Sequence, residues 1–389
     1  MRDGTHKRLQ TAQAAGRKTP SAQTESNEAM WETGRPGRIS DPGRSSIEEI
    51  RIIATILLVI YHVIGRSDSG LRLDYPHELR FLADLLANFR MPAFAVIAGF
   101  FFCLRPLTLP AFGKFLVGKA RRLAVPGLIA AIIFASTANL LNLRFALPPA
   151  EFWRLLVFPY AHYWFLQAIL VLFVVVGFVD ALMRNRSEFL LLGTALALSF
   201  AGIVDTAFFS INRAVALAPC FALGMCIYRH GRWIERYARL LTAVAALLAL
   251  LSLGSALVRH ATDPFTPPPT GPLHIMILGM PLCLLMLLHL PHNPYARRLG
   301  QYSFTIYLYH VFATASMRTL LLHLGIVSIP VHVVLGTAAG VTLPIMLHLT
   351  LQRIPGLGAP MLGLRPPARN TPRTEDATPL IKEKSVNGA

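Results

Sequence analysis

The apolar positions along the chain form long, nearly unbroken runs that short polar stretches separate. Several runs approach the roughly 20 residues that a helix needs to cross a bilayer. The pattern predicts an all-α, polytopic integral membrane protein with about ten transmembrane helices. The predicted helices span residues 47–64, 82–104, 123–143, 163–183, 189–209, 214–228, 240–258, 273–290, 302–322 and 331–351.

The two ends of the chain differ from the apolar middle. Residues 1–46 and 353–389 are basic and rich in small polar residues and Pro, and such segments bury too little apolar surface to fold. We expect both to be disordered tails and residues 47–352 to form one transmembrane domain. No cleavable signal peptide is expected, because the first forty or so residues contain no apolar core.

The net charge of +17 raises the question of a nucleic-acid partner. However, the basic residues lie in the tails and in alternate loops. If the amino terminus is cytoplasmic, the loops on that side contain 13 Lys and Arg and the other loops contain 7. This asymmetry follows the positive-inside rule. We therefore expect both termini in the cytoplasm, contact with the lipid bilayer and no nucleic acid.

The first predicted helix, RIIATILLVIYH, has a cation at each end. Arg51 and His62 are eleven residues apart, so a helix places them on nearly one face, roughly 16 Å apart along its axis. His62 could act as a general base on a hydroxyl, or bond to lipid headgroups or a neighbouring helix. Arg51 could clamp an anion, or anchor the helix and pair with Glu48 or Glu49.

Further candidates lie in four later segments. In KARRLAVP, Lys119 and Arg122 are three apart, so one helical turn would present both to an anionic cofactor; the segment could equally be a membrane-surface anchor. Arg90 lies inside NFRMPAF, which Gly99 follows, and Pro92 and Gly99 permit a kink and close packing. HYWFL, which opens the fourth predicted helix, is typical of an interfacial aromatic belt. Tyr307 and His310 share a face of YSFTIYLYH, where His310 is either a second site residue or a buried, hydrogen-bonded histidine.

Other common sites are not indicated. The sequence shows no Ser-His-Asp order of a hydrolase, no glycine-rich phosphate loop and no zinc pattern. The four cysteines lie singly in apolar segments, so no metal site is expected. Asp84 and Asp205 remain possible partners for a histidine.

Taken together, these segments resemble the membrane-bound acyltransferase family 3, bacterial integral-membrane O-acyltransferases. The resemblance rests on Arg51 and His62, then FRMPAFAVIAGFFF, KARRLAVP, HYWFLQAILVL and YSFTIYLYH, in the family's order. It implies a multi-pass protein of the bacterial cytoplasmic membrane in which Arg51 and His62 are needed for activity. The family's basic pair maps to Lys119 and Arg122, with Lys in place of the first Arg. Ala98 stands where the family often has Ser.

The resemblance also implies a reaction. A cytoplasmic acyl-CoA would donate an acetyl or succinyl group to a hydroxyl of a glycan or a small molecule. FRMPAFAVIAGFFF and HYWFLQ further resemble the glucan-biosynthesis type C branch, which succinylates periplasmic glucans. In our hypothesis the CoA phosphates bind Lys119, Arg122 and Arg51, His62 is the base, and Tyr307 or His310 stabilises the oxyanion.

Two other classes of function remain open from the sequence. Ionisable residues inside a membrane also mark transport paths, so Arg51, His62 and His310 could line an exporter or flippase that does no covalent chemistry. A sensor or scaffold acting through its tails is the third class. The acceptor, the acyl group and the oligomeric state do not follow from the sequence.

Overall fold

A computed structural model of the chain describes residues 41–66, 69–291 and 293–364, and the fold is given for these. The described part is built of helices and loops, and its only β contact is an isolated bridge between Arg66 and Ser69. The α-helices are α1 (Asp41–Ile64), α2 (Glu78–Leu85), α3 (Ala87–Phe102), α4 (Leu109–Lys119), α5 (Val125–Leu140), α6 (Arg154–Val157), α7 (Trp164–Leu182), α8 (Glu188–Ala201), α9 (Ile211–Arg229), α10 (Gly231–Arg236), α11 (Ala238–Thr262), α12 (Pro272–His274), α13 (Met280–His289), α14 (Pro294–Gly300), α15 (Ser303–His323), α16 (Ile329–Leu351) and α17 (Gly358–Leu362). Two π-helical segments, Ala120–Ala124 and Ile275–Gly279, join α4 to α5 and α12 to α13.

Seven helical segments of the described chain are long and apolar enough to cross a membrane. They are Glu78–Phe102, Leu109–Leu140, Trp164–Leu182, Phe208–Arg229, Ala238–Thr262, Pro272–His289 and Ile329–Leu351. These segments support the prediction of an all-α, multi-pass membrane protein. The count of about ten helices and the cytoplasmic placement of both ends stay predictions.

Three of the ten predicted membrane helices are not among these seven segments. They correspond to α1, α8 and α15 of the structure. The first turns of α1 carry Glu48, Glu49 and Arg51. α8 has 14 residues, which is too short to span the hydrocarbon core unaided. α15 interrupts its apolar residues with polar ones, among them His310 and Arg318. Polar and charged residues thus weaken the membrane signal on α1 and α15, the helices that also carry Arg51, His62, Tyr307 and His310.

The described helices extend beyond the predicted transmembrane domain at both ends. α1 begins at Asp41, within the segment expected to be a tail. At the other end, α17 follows residue 352 and buries Leu362 to 4% exposure. Residues 1–40 and 365–389, which make up most of the predicted tails, lie outside the described residues.

α3 is the central helix of the bundle, and α9 packs along it at very short range. A Cβ atom on Gly99 would lie 1.9 Å from the carbonyl oxygen of Phe221, and one on Gly224 would lie 2.0 Å from that of Val96. Small residues at such crossings let helix backbones approach closely in a membrane. Close packing at Gly99, which the sequence predicted, is confirmed.

α1 and α3 run antiparallel, and an arginine of each helix packs on an aromatic ring of the other. The guanidinium carbon of Arg90 lies 3.9 Å from the centroid of the Tyr61 ring. At the opposite end, the guanidinium carbon of Arg51 lies 4.8 Å from the centroid of the Phe101 ring. We call these two ends of the bundle the His62 end and the Arg51 end.

A buried ion-pair network joins α7, α8 and α9 at the Arg51 end. Arg229 bonds Asp180 at 2.7 Å and Glu188 at 2.5 Å. Asp180 is 0% exposed and also accepts a hydrogen bond of 2.6 Å from Ser187. Because removing one partner would leave a buried charge without compensation, this network fixes the ends of the three helices relative to one another.

Candidate active site

Two histidines from distant parts of the sequence meet at the His62 end. Nε2 of His310, on α15, lies 3.2 Å from Nδ1 of His62, on the last turn of α1. α16 supports this turn from behind, since Gly336 and Gly340 leave room for the side chains of Val63 and Val59. The structure thus brings together two candidates that the sequence could only list separately.

The hydrogen bonds assign the proton positions on both rings. Nδ1 of His310 lies 2.8 Å from the carbonyl oxygen of Ile306 and 3.0 Å from that of Tyr307. A carbonyl can only accept, so Nδ1 of His310 carries the hydrogen and Nε2 carries a lone pair in the neutral ring. Nδ1 of His62 lies 2.8 Å from the carbonyl oxygen of Leu58 and therefore also carries its hydrogen. That hydrogen is shared between Leu58 and His310, which leaves the lone pair of His62 on Nε2.

A third histidine, His162, completes the group. Its ring centroid lies 5.7 Å from that of His62 and 5.2 Å from that of His310. Its Nε2 is buried and has no hydrogen-bond partner among the described residues. A buried polar nitrogen without a partner is costly.

Reciprocal tyrosine bonds hold the segment of His162 against α15. Tyr307 donates to the carbonyl oxygen of His162, and Tyr163 donates to that of Leu308 at 3.0 Å. Each tyrosine thus bonds the backbone beside the other. His162 is next to Tyr163 in the sequence, and His310 is two residues after Leu308. The two bonds therefore fix the separation of His162 and His310.

The turn that carries His162 is conformationally strained. Ala161 has φ 43°, in the left-handed region, which costs of order 1–3 kcal/mol for a residue other than glycine. Tyr160 helps to hold the turn by donating to the carbonyl oxygen of Phe145 at 2.6 Å. Burial raises the pKa of Tyr160 to about 12, so its hydroxyl keeps its proton at neutral pH. Strain of this kind persists where surrounding contacts fix a side chain in place.

A cavity of about 320 Å³ adjoins this group, and His62 is one of its lining residues. The other walls come from the loop after α1, the loop after α5, α15 and α16. The volume lies at the lower end of the range for small-molecule sites. Because Nδ1 of His62 is already engaged, Nε2 is the nitrogen that His62 can offer to a molecule in this cavity.

Arg90 lies behind the histidines and is 6% exposed. Its guanidinium packs on Tyr61, whose ring centroid is 5.3 Å from that of His62. The charge is close enough to act electrostatically on both His62 and His310. Nε of Arg90 has no hydrogen-bond partner in the part of the chain that the structure describes.

The remaining candidates lie at the Arg51 end. Arg51 forms an ion pair with Glu48 at 2.9 Å, which is the pairing considered from the sequence. The ammonium of Lys119 lies 3.5 Å from the centroid of the Phe173 ring, and Phe173 packs on Phe102 at the end of α3. Arg51 and Lys119 therefore pack on neighbouring aromatic side chains at the Arg51 end of the bundle, away from His62.

The backbone around the predicted basic pair is not a regular α-helix. Lys119 is the last residue of α4, whereas Arg122 lies within the π-helical segment Ala120–Ala124. Arg122 is exposed and Lys119 is half-buried, although the two charges remain close enough to repel each other. π-helical turns occur frequently at functional sites.

Two sequence expectations about the site change with the structure, and one site residue was not expected. The hydroxyl of Tyr307 is directed to the carbonyl oxygen of His162, which leaves it unsuited to stabilise an oxyanion beside His62. Asp84, considered as a partner for a histidine, instead accepts hydrogen bonds from Arg80 and Tyr75. The sequence analysis did not identify His162, because it interpreted HYWFL as an aromatic belt and as part of the family resemblance. The signal was a histidine at the start of an apolar helix, where ionisable residues are often functional.

The arrangement has the parts of a general-base site. A base needs a lone pair directed at the substrate and a second group that fixes its ring. Nε2 of His62 has the lone pair, and His310 and Leu58 hold Nδ1–H. When His62 takes up a proton, the positive charge strengthens the hydrogen bond that Nδ1 donates to His310.

Comparison with known proteins agrees with this chemistry. No curated protein and no solved structure matches the chain. A family model described as "Acyltransferase domain" matches residues 44–349, which is most of the chain and includes every candidate named above. The chain therefore belongs to acyltransferase family 3.

Proposed function

We propose that this protein is an integral-membrane O-acyltransferase that moves an acetyl or succinyl group from acyl-CoA to a hydroxyl of a glycan or another cell-envelope acceptor. The observation that carries the proposal is His62, whose ring is fixed by His310 while its Nε2 remains available beside a cavity. Membership of an acyltransferase family supplies the reaction class. The glucan-biosynthesis branch stays a prediction.

In the proposed reaction, Nε2 of His62 takes the proton of the acceptor hydroxyl. The oxygen attacks the thioester carbonyl, forming a C–O bond, and the C–S bond then breaks. His62 returns the proton to the leaving thiolate, so the products are the acyl ester and CoA. General-base assistance of this kind typically contributes about 10²–10⁴-fold to the rate.

Arg90 supplies the electrostatic part of this proposal. The attack places a negative charge on the former carbonyl oxygen, and a fixed positive charge in a water-poor site stabilises that charge strongly. The guanidinium of Arg90 is buried beside Tyr61 and acts on the surroundings of His62. We assign Arg90 this role, because the hydroxyl of Tyr307 is committed to His162.

The Arg51 end suits the anionic part of the donor. Arg51, Lys119 and Arg122 place cations there, and guanidinium binds phosphate oxygens in pairs. Aromatic rings hold both Arg51 and Lys119 in place, and Arg51 also pairs with Glu48. In this proposal the end faces the cytoplasm, as the loop charges predict, and the pantetheine arm extends toward His62.

The test measures CoA release and acyl transfer by the full-length protein in lipid nanodiscs, with radiolabelled acetyl-CoA or succinyl-CoA. Cells that express the same variants provide envelope glycans for mass spectrometry. We expect His62→Ala to lose about 10²–10⁴-fold in transfer while remaining inserted in the membrane. His323→Ala is the matched control, because His323 is an exposed histidine on α15.

Two results would contradict the proposal. Wild-type rates in a folded His62→Ala protein would remove the base assignment. Export of an acceptor that is covalently unchanged, with no acyl-CoA consumed, would favour the transporter or flippase instead. An acetyl or succinyl mass increment that requires both the gene and His62 would support the proposal and identify the acyl group.

A further inference from the structure

Three arginines from separate parts of the chain line the cavity beside His62. They are Arg72 in the loop after α1, Arg144 in the loop after α5, and Arg318 on α15. No Asp or Glu is among the described lining residues. Arg72 and Arg318 thus bring two positive charges to a wall without a described carboxylate, and positive charge in a cleft attracts anions.

Arg318 is held next to the catalytic turn of α1. Its guanidinium donates to the carbonyl oxygen of Gly70, and a Cβ atom on Gly70 would lie 2.6 Å from the carbonyl oxygen of His62. Gly70 therefore contacts both the Arg318 guanidinium and the backbone of His62. Its Nε is buried and has no hydrogen-bond partner within the described residues.

Arg72 lies close to Arg318 and has a strained backbone. Its φ is 58°, in the left-handed region that residues other than glycine seldom occupy. The two guanidinium groups are near enough to repel each other. A bound anion between them would relieve both the repulsion and the missing hydrogen bond at Nε of Arg318.

We infer that this cavity binds the anionic group of a hydroxylated acceptor, such as a sugar phosphate or a sugar acid. The ligand carries the hydroxyl that His62 deprotonates and, on the same molecule, a phosphate or carboxylate that Arg72 and Arg318 hold. Arginine pairs well with both groups, because its planar fork binds two oxygens at once. The inference rests on the proposed function, since it treats the cavity as the acceptor side of the same reaction.

The same positive wall could hold the free carboxylate of a dicarboxylic acyl group, such as succinyl. That carboxylate would be part of the acyl donor, whereas a sugar phosphate binds independently of any donor. Binding measured in the absence of any acyl-CoA therefore separates the two sources.

The test measures binding of glucose 1-phosphate and of methyl glucoside to the full-length protein in nanodiscs, by equilibrium dialysis without acyl donor. We expect glucose 1-phosphate to bind at least about tenfold more tightly than methyl glucoside. Arg72→Gln and Arg318→Gln should remove most of that preference. Arg318→Lys, which keeps the charge, should retain part of it, and Arg259→Gln, an exposed arginine outside the cavity, should retain all of it.

Arg72→Gln keeps the test valid if Arg318→Gln fails to fold, because Arg72 is exposed and its replacement disturbs no buried packing. Equal binding of the two sugars to wild type would overturn the inference. Unchanged binding of glucose 1-phosphate to Arg72→Gln would also overturn it. If that variant in addition loses turnover of succinyl-CoA and keeps turnover of acetyl-CoA, the positive wall binds the donor carboxylate and not the acceptor. A wild-type protein that shows the expected binding preference but consumes no acyl-CoA would refute the proposed function and leave the anion site standing.

Discussion

Nε2 of His310 lies 3.2 Å from Nδ1 of His62, although 248 positions separate the two residues in the sequence. The contact gives His62 a second acceptor for its Nδ1 hydrogen beside the carbonyl oxygen of Leu58. It also couples α15 to α1 at the point where we place the chemistry. His310 therefore acts on the reaction through His62, as a positioning residue.

Replacement of His310 should impair turnover more than donor binding. We expect His310→Ala to lower kcat about tenfold, the effect of one hydrogen bond of typical strength, because the ring of His62 is then fixed by Leu58 alone. The KM for acyl-CoA should stay unchanged. His310→Gln, whose amide oxygen can accept the same hydrogen bond, should recover part of the loss. Equal loss in both variants, or a raised KM, would indicate a purely structural role.

Arg122 tests the donor end. Arg51 is paired with Glu48, so its removal would also leave that carboxylate uncompensated. Arg122 is exposed and lies in the π-helical segment that follows α4. We expect Arg122→Gln to raise the KM for acetyl-CoA about tenfold with little effect on acetyl-pantetheine, which has no nucleotide phosphates. Arg186→Gln, an exposed arginine in the loop after α7, is the control. A similar effect on both donors would refute phosphate binding by Arg122.

Gly99 should tolerate no side chain. A Cβ atom there would lie 1.9 Å from a backbone oxygen of α9, and backbone cannot move aside as a side chain can. Gly99→Ala should lower the free energy of unfolding by about 1–3 kcal/mol or more, measured by thermal unfolding in detergent. Gly113→Ala should cause no loss, because nothing lies within 4 Å of a Cβ at that position. Equal stability of the two variants would contradict the described packing of α3 on α9.

Two carboxylates should differ strongly in their importance for stability. Asp180 is fully buried and bonded to Arg229, so Asp180→Asn should cost about 3–5 kcal/mol of unfolding free energy. Glu151 pairs with Arg154 on the surface, where the side chains are 42% and 50% exposed. Glu151→Gln should therefore cost about 0–1 kcal/mol. The same unfolding assay compares them, and a mild effect of Asp180→Asn would show that the network contributes little.

The sequence predicts the helical membrane class well, because long apolar runs are visible without knowledge of tertiary contacts. Arg51 and His62 could be assigned to one helix for the same reason. The contact between His62 and His310 could not be predicted, since it depends on how α1 and α15 align in space. His162 needed the same information, because only the reciprocal bonds of Tyr163 and Tyr307 bring it beside His310.

The basic pair shows a different limit of sequence reasoning. The prediction that Lys119 and Arg122 share one face assumes a regular α-helix. A π-helical segment replaces that helix from Ala120, and aromatic packing under Lys119 fixes its ammonium independently of Arg122. Local helix geometry of this kind follows from packing against α7 and is not encoded in residue spacing.

The antiparallel pairing of α1 and α3 fixes the distance between the cationic end and His62, and this distance sets the length of donor that can react. α1 is one continuous helix from Arg51 to His62, so the cationic end and the base are held roughly 16 Å apart along its axis. Under the proposed mechanism, a donor whose phosphate is held at the cationic end reacts only if its acyl group reaches His62. Acetyl phosphate joins its acyl group directly to its phosphate, so it fails this requirement even though it is chemically more reactive than a thioester. The protein would thus select its donor by reach as well as by charge.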